Sequence, residues 1–309
     1  MKRIVLLCLA AALLIPSLSW STQVGVGAKF SFVTAAEAAK KVSTNAPVTK
    51  RLAMGEVTIY DFGNIKLHAY KTDDALGDEC YLLENEKSVV LLESAAFKDA
   101  VQEWSAYAKS LNKPVAGALL AYHPNGYDEY GNIKVYATKN ALQNWSEGGS
   151  IRALTDNFVK VFGDKVDSNL PSSVRYLEEG IAVEIGGIKF NILASGDAAY
   201  SVEIPEINVV YRHMMGSKSH NILVNKTHID AEIAAMKHYQ EKRYSLVLTS
   251  HYVPEGQIAV AEKLAYLEQV KAMIEECKSK EEFIDAVKKT FPGYSGENYL
   301  EMTAGFLYK

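Results

Sequence analysis

Short apolar runs with strand-like spacing alternate with longer helical stripes along the chain. Four β-rich runs in the first third are separated by turn-forming residues, and we expect them to form consecutive strands: Val57–Tyr60, Ile65–Tyr70, Cys80–Leu83 and Val89–Leu92. Apolar residues then recur at helical spacing over Phe97–Leu111, which predicts an amphipathic helix. The first half of the chain is therefore expected to form a β-sheet with an outer helix.

Two apolar runs end abruptly in polar loops. Val115–Tyr122 contains no charged residue, which is typical of a strand buried on both faces, and it leads into the loop His123–Gly131. Near the end of the chain, Leu246–Leu248 is followed by Thr249-Ser250-His251. Open α/β sheets usually place their chemistry in loops at the carboxyl ends of such strands. We therefore expect functional residues in both loops.

The remaining patterns complete a second β-rich half. Further strands are expected over five short runs: Ile133–Ala137, Ile181–Ile185, Ile188–Leu193, Ser201–Ile204 and Val209–Tyr211. Helices are expected over five longer ones: Lys139–Trp145, Ile151–Phe162, Asp230–Glu241, Val260–Glu276 and Glu281–Thr290. Two β-rich halves with outer helices predict an α+β fold, a four-layer αββα sandwich. Without a repeat or a linker, residues 55–309 are predicted to form one domain with C-terminal helices.

The first 21 residues have the pattern of a secretory signal peptide. A basic start, an apolar run over Ile4–Pro16 and small residues at Ser19 and Ser21 follow one another in that order. The apolar run is shorter than the roughly 20 residues that span a bilayer, and an uncleaved anchor is the alternative. Residues 22–54 are predicted to be a leader segment. The mature protein is expected to be periplasmic or secreted, with no membrane attachment after cleavage.

Charge and cysteine content restrict the partners. The formal charge changes from −4 to −6 when Lys2 and Arg3 leave with the signal peptide. Nucleic acid binding needs clustered basic residues, so we expect no nucleic acid and a small molecule of unspecified class instead. Cys80 and Cys277 either pair in an oxidising compartment or are unrelated, with Cys80 a small buried hydrophobe. Neither has the spacing of a zinc or redox motif.

Three segments, in order and at plausible distances, resemble the metallo-β-lactamase superfamily. Cys80–Ala95 resembles its strand pair before the first helix, Leu119–Gly131 its His-x-His-x-Asp-His-x-x-Gly motif, and Thr249-Ser250-His251 its final histidine after a buried strand. The resemblance covers about Glu56 to Ile274. It implies a metallo-β-lactamase-like fold, one or two zinc ions and hydrolysis by a metal-activated water.

The motif of that superfamily is altered in this chain. When His123 is aligned with its first histidine, Gly131 falls on its closing glycine. Asn125 then replaces the second histidine, Tyr127 the aspartate and Asp128 the third histidine. The resemblance thus retains only one imidazole in this loop.

The resemblance also assigns the later ligand positions. Asp197, in Ser195-Gly196-Asp197, replaces the next histidine, the bridging aspartate falls at His213 or Met214, and His251 matches the last histidine. The implied metal ligands are His123, Asn125, Asp128, Asp197, His213 and His251. Asp128 and Asp197 are the candidate catalytic carboxylates. The simpler interpretation of these residues is that the histidines form loop hydrogen bonds and the aspartates cap turns.

Two functions are compatible with the altered motif. An amide at Asn125 is a weak zinc ligand and Tyr127 removes a carboxylate, so an ordinary two-zinc site is not expected. The first hypothesis, which we favour on the sequence, is an exported protein with a degenerate metal site and little or no hydrolysis, which binds a small molecule. The second is a metal-dependent hydrolase with a rebuilt site for one zinc, iron or manganese ion. Whether the chain is an enzyme, and whether it holds a metal, stays open at this stage.

Overall fold

The computed structural model describes residues 46–171, 173–195 and 198–308. The predicted signal peptide and most of the predicted leader lie outside these residues. Within them, the strands form one eight-stranded and one five-stranded sheet. No helix of the described part is long and apolar enough to cross a membrane.

The eight-stranded sheet follows the chain order from β1 to β8. Its strands are β1 Val48–Arg51, β2 Gly55–Asp61, β3 Lys66–Thr72, β4 Glu79–Glu84, β5 Val89–Leu92, β6 Val115–Leu119, β7 Val135–Thr138 and β8 Val174–Leu177. The first five pair antiparallel, and β5 to β8 pair parallel. Parallel pairing requires crossover connections, and a helix follows β5 for this purpose.

The five-stranded sheet has the order β13-β12-β11-β10-β9. Its strands are β9 Ala182–Ile185, β10 Ile188–Ala194, β11 Tyr200–Ile204, β12 Val209–Tyr211 and β13 Leu246–Leu248. The hairpin between β9 and β10 turns at Gly186-Gly187, where both residues have positive φ. The last two strands run parallel, so their carboxyl ends lie at the same edge of the sheet.

The helices of the described part lie between and after the strands. They are α1 Lys98–Ser110, α2 Lys139–Trp145, α3 Ser150–Phe162, α4 Lys226–Lys242, α5 Gln257–Glu276, α6 Lys280–Thr290 and α7 Glu297–Leu307. Polar side chains cap several amino termini, as Thr138 does for α2 and Asn225 for α4. Such caps bind backbone N–H groups that have no partner inside the helix.

Two apolar clusters pack the layers of the sandwich against one another. The larger contains inward-facing residues of both sheets, such as Leu82 and Phe190, together with Trp104 from α1. The smaller packs Val210 and Val247 of the five-stranded sheet against the C-terminal helices. The two sheets therefore share one core and carry helices on their outer faces. This is the predicted αββα arrangement, and the fold prediction is confirmed.

The structure departs from the sequence prediction at a few elements. β1 lies within the predicted leader and pairs with β2 from Val48 to Arg51. The strand predicted to continue to Tyr122 ends at Leu119. Two elements were not anticipated: β8, whose middle residues are exposed, and α7. Cys80 is buried in β4 and both cysteines are free, so they do not pair.

Candidate metal centre

Three histidines follow the carboxyl ends of three strands. His123 follows β6 of the large sheet, whereas His213 and His251 follow the parallel neighbours β12 and β13 of the small sheet. Because the sheets pack face to face, their strand ends meet at one edge of the sandwich. This geometry brings together the His123 and His251 loops, in both of which the sequence predicts functional residues.

The three imidazoles form one compact group. Their potential ligand atoms all lie within 4.8 Å of one another. The ring centroids are 5.3 Å apart for His123 and His251, 5.1 Å for His213 and His251, and 5.7 Å for His123 and His213. His123 is buried and the other two are partly exposed, so the group is accessible from one side.

Two of the three rings have a hydrogen-bond partner at Nδ1, and the third faces a buried carboxylate. Nδ1 of His123 lies 3.0 Å from the carbonyl oxygen of Ser94, and Nδ1 of His213 lies 3.1 Å from Oγ of Ser250. Nδ1 of His251 lies 3.5 Å from a carboxylate oxygen of Asp78. An acceptor at Nδ1, such as the Ser94 carbonyl oxygen for His123, fixes the ring proton there and leaves the Nε2 lone pair free. The Nε2 atoms are thus the ones available to a ligand.

Aromatic and hydrogen-bonding contacts hold the ligand loops. Tyr122 stacks on the His213 ring, with centroids 3.9 Å apart. The backbone N–H of Ser250 donates to the His213 carbonyl oxygen at 2.9 Å, which joins the loops after β12 and β13. Across the sheet interface, the Tyr81 hydroxyl donates to the Thr249 carbonyl at 2.6 Å. These contacts restrict the ring positions before any ligand binds.

Two buried carboxylates support the histidines from behind. Asp78, directly before β4, accepts from the backbone N–H of Ala96 at 2.7 Å and has its other oxygen toward His251. Glu93, directly after β5, has a φ of 61° and accepts from the backbone N–H groups of Tyr122 and His123. Both side chains are inaccessible to solvent. Burial raises the pKa of each carboxyl group, and the nearby His123 opposes this shift.

The electrostatics favour neutral imidazoles. Burial lowers the pKa of His213 well below its usual range, and the neighbouring His251 and His123 act in the same direction. Burial likewise lowers the pKa of His251 well below its usual range, with smaller contributions from His123 and Lys71. A neutral imidazole has a free lone pair, which is the form that binds a metal ion.

The donor set fits a single zinc ion. Zinc–imidazole bonds of about 2.0–2.1 Å in a tetrahedron place two nitrogens roughly 3.3 Å apart, which is within the 4.8 Å limit of this group. Catalytic zinc sites commonly use three protein ligands and leave a fourth position open. Nitrogen donors also accept iron and other transition metals, so the identity of the ion does not follow from the donors alone.

The structure brings together three of the six predicted ligands. His123, His213 and His251 form the group, and His213 rather than Met214 takes the position where the alignment left two choices. The Asn125 amide N–H donates to the Asp167 backbone carbonyl oxygen at 2.6 Å, so its nitrogen is engaged away from the group.

Of the two predicted catalytic carboxylates, Asp128 is not part of the group. Asp128 lies in a short 3-10 helix, Tyr127–Tyr130, where it is exposed. It lines a different, polar cavity of about 90 Å³ beside Lys98 and Asp167. Asp197 lies outside the described residues, so its predicted role stays a prediction.

Sequence reasoning missed Asp78 and Glu93 as parts of the site. A sequence signal existed for both, because each is an acidic residue directly adjoining an apolar strand. Glu93 follows Val89–Leu92, where an acid at the carboxyl end of a buried strand is costly unless it has partners. What the sequence does not contain is the identity of those partners, which come from loops some 30 residues away or from the other sheet.

Comparison with known proteins supports the fold at low sequence identity. No protein-family model and no curated protein matches the chain. A metallo-β-lactamase family protein from Thermus thermophilus matches with a TM-score of 0.57 and 15% identity, over 79% of this chain and 92% of that one. A β-lactamase domain protein from Burkholderia ambifaria matches with a TM-score of 0.56 and 17% identity, over 84% and 88%.

A third solved structure differs in length. The stereoselective inverting sec-alkylsulfatase from Pseudomonas sp. matches with a TM-score of 0.51 and 14% identity, over 78% of this chain but 48% of that one. Likeness at such identities shows the fold alone. The chain is thus a metallo-β-lactamase-fold protein, as the sequence resemblance implied.

Proposed function

We propose that the chain is a metal-dependent hydrolase with one metal ion held by His123, His213 and His251. The observation that carries this proposal is the convergence of three imidazoles, two of which have Nδ1 hydrogen-bonded within the protein while the third faces a buried carboxylate. On the sequence, we favoured a non-catalytic binding protein because only His123 and His251 were aligned with retained ligands. The third imidazole, from His213, supports the alternative, since it completes a set of three nitrogen donors.

The ion and the protein would have different roles in the reaction. Bound zinc supplies a Lewis acid that lowers the pKa of a coordinated water to near neutrality. The chain's own residues would orient the donors: the Asp78 carboxylate lies behind His251, and Glu93 holds the backbone that carries His123. The small molecule acted on is proposed to contain an ester, an amide or a similar bond. Zinc is the first candidate ion, with iron and manganese as alternatives.

A second function is favoured by one specific observation. Among the described residues, the metal-binding group contains no carboxylate, and the exposed Asp128 is not part of it. A site with imidazoles alone has no evident general base, which favours a protein that binds a metal or a small molecule without turnover. We also propose export to the periplasm or the exterior, on the basis of the signal-peptide pattern in residues 1–21.

Metal analysis of untagged protein tests the proposal. We expect one equivalent of zinc, iron or manganese per chain, and replacement of His213 by Ala should weaken binding by more than the roughly 10–100-fold typical of outer-shell changes. His238→Ala is the matched control, because His238 is exposed on α4. Hydrolysis of uncharged esters and amides should disappear on chelation and return with the metal.

The possible outcomes separate the two functions. Stoichiometric metal without turnover of any ester or amide would favour the binding protein. Protein without metal, even after incubation with all three ions, would overturn the metal centre itself. Metal-dependent turnover that persists in His213→Ala would show that the ion lies elsewhere.

A further inference from the structure

A narrow cavity adjoins the candidate metal centre on the side of His123. Its volume is about 10 Å³, and His123 itself forms part of the wall. Most of the remaining wall is apolar and comes from one helix, α3, and from the strand ends: Ala96, Tyr122, Ile151, Leu154 and Phe158. Ile151, Leu154 and Phe158 are spaced by three and four residues, so they share one face of α3.

Two polar side chains in this wall, besides His123, donate hydrogen bonds within the protein. The Asn125 amide donates to the Asp167 carbonyl oxygen at 2.6 Å, and the Thr155 hydroxyl donates to the Ile151 carbonyl oxygen at 3.0 Å. No lysine, arginine, aspartate or glutamate is among the residues that line the cavity. A charged group placed here would lose its hydration without gaining a partner, which is costly. The cavity therefore selects against charged and strongly polar groups.

The size of the cavity sets a second restriction. A volume of 10 Å³ corresponds to about one water-sized sphere. A methyl group is of similar size, whereas a longer alkyl chain would have to displace the side chains of α3. Leu154 and Phe158 are the partly buried residues at this position, while Ile151 belongs to the core.

We propose that this cavity is the subsite for a small, uncharged aliphatic group of the substrate, and that Leu154 and Phe158 limit its length. The substrate class is accordingly a compound whose hydrolysable bond carries a methyl-sized substituent. This inference rests on the proposed metal centre, because the bond must lie at the three histidines while its substituent enters the cavity. It adds the shape and polarity of the substrate, which the donor set does not specify.

The test measures binding of aliphatic hydroxamates to the zinc-loaded full chain by calorimetry. A hydroxamate chelates zinc, and its acyl chain is varied from acetyl to hexanoyl. We expect the dissociation constant to rise by at least about tenfold along the series, the discrimination that one or a few misfitting methylenes produce. Leu154→Ala and Phe158→Ala should each remove the rise in the dissociation constant of the hexanoyl compound. Neither should change the affinity for acetohydroxamate much.

A control on the same helix separates the subsite from general effects. Val161 is also on α3, is 40% exposed and does not line the cavity. The affinity of Val161→Ala should therefore depend on acyl chain length as that of the wild type does. Two enlarging variants guard against the failure of one to fold. Bound zinc with equal affinity for all chain lengths would overturn the subsite alone. Absence of zinc, iron and manganese binding would overturn both the proposed function and this inference, and metal content is measured first for that reason.

Discussion

The Oδ1 atom of Asp78 lies 3.5 Å from Nδ1 of His251, although the two residues belong to different sheets. Asp78 precedes β4 of the large sheet, whereas His251 follows β13 of the small one. The carboxylate is buried, and the imidazole side chain is a quarter exposed. A carboxylate behind a ligating histidine fixes its tautomer and raises its basicity. The interface between the sheets, rather than the ligand loop alone, thus orients His251.

Replacement of Asp78 by Asn should weaken zinc binding by about 10–100-fold, as outer-shell changes do. The reason is that the substitution would change the tautomer of His251. The backbone N–H of Ala96 needs an acceptor, so the Asn oxygen would remain on that side and its amide N–H would face His251. Nδ1 would then have to accept, which moves the ring proton to Nε2, the nitrogen needed by the metal. Competition with a chromophoric chelator measures the change.

The control for this prediction is Asp164→Asn, since Asp164 is an exposed aspartate away from the histidines. It should bind zinc as the wild type does. The free energy of unfolding of metal-free Asp78→Asn should not fall, because the side chain keeps its volume and its bond to Ala96. Equal zinc affinity in Asp78→Asn and wild type would contradict the orienting role.

Glu93→Ala should lower the free energy of unfolding by about 3 kcal/mol or more, because each buried N–H left without a partner costs about 1–3 kcal/mol. The Glu93 carboxylate accepts from the backbone N–H groups of Ala121, Tyr122 and His123, all within the protein interior. Urea unfolding of the metal-free protein measures the loss. The loop that carries His123 should also become less ordered, so zinc affinity should decrease in parallel.

Two variants complete the Glu93 experiment. Glu93→Gln keeps one acceptor oxygen and should lose less stability than the alanine variant. Glu86→Ala removes an exposed acid from the turn between β4 and β5 and should change stability by no more than roughly 0.5 kcal/mol. If Glu93→Ala unfolded at the same urea concentration as the wild type, the carboxylate could not be the anchor of this loop.

Much of the fold could be predicted because the local hydrophobic and polar patterns indicated most of its strands and helices. The run Val115–Tyr122 indicated a buried strand, and its polar continuation located the His123 loop correctly. The error at its end has a physical cause: the Leu120 N–H still donates to the Tyr136 carbonyl oxygen at 3.2 Å, but the N–H groups of Ala121 and Tyr122 donate to the Glu93 carboxylate. The hydropathy of the run does not reveal that a distant carboxylate will accept these hydrogen bonds. β8 was missed because Arg175 and Tyr176 are exposed, which leaves no apolar alternation.

The site was harder to predict than the fold. An alignment by motif assigns positions along the chain, and two of those positions, His123 and His251, lie in the group that the structure brings together. It placed Asp128 there as well, but the 3-10 turn over Tyr127–Tyr130 directs this residue to solvent. The rotation of a short turn depends on packing between distant segments, such as the hydrogen bond of Gly126 to Asp167.

Lys263 provides a stability prediction at a distance from the metal centre. It lies in α5 and is 1% exposed, and its ammonium group donates to the Ser219 carbonyl at 2.7 Å and to the Asn221 side chain. It also lies 4.7 Å from the centroid of the Tyr266 ring. Burial lowers the pKa of Lys263 to about 7, although Glu232 and Glu255 oppose the shift.

The folded protein therefore releases the Lys263 proton near pH 7, whereas the unfolded chain keeps it to about pH 10.4. Between these values unfolding takes up a proton, so the free energy of unfolding rises with pH by at most about 1.4 kcal/mol per unit. Below pH 7 both states are protonated and the full cost of the buried charge is present.

Lys263→Met lacks this dependence, so the stability of the wild type relative to the variant should increase steadily in urea titrations from about pH 7 to 9. Lys271→Met, on the same helix, removes an exposed lysine paired with Asp230 and should keep the slope of the wild type. A constant difference between wild type and Lys263→Met across this range would mean that Lys263 stays charged in the folded protein.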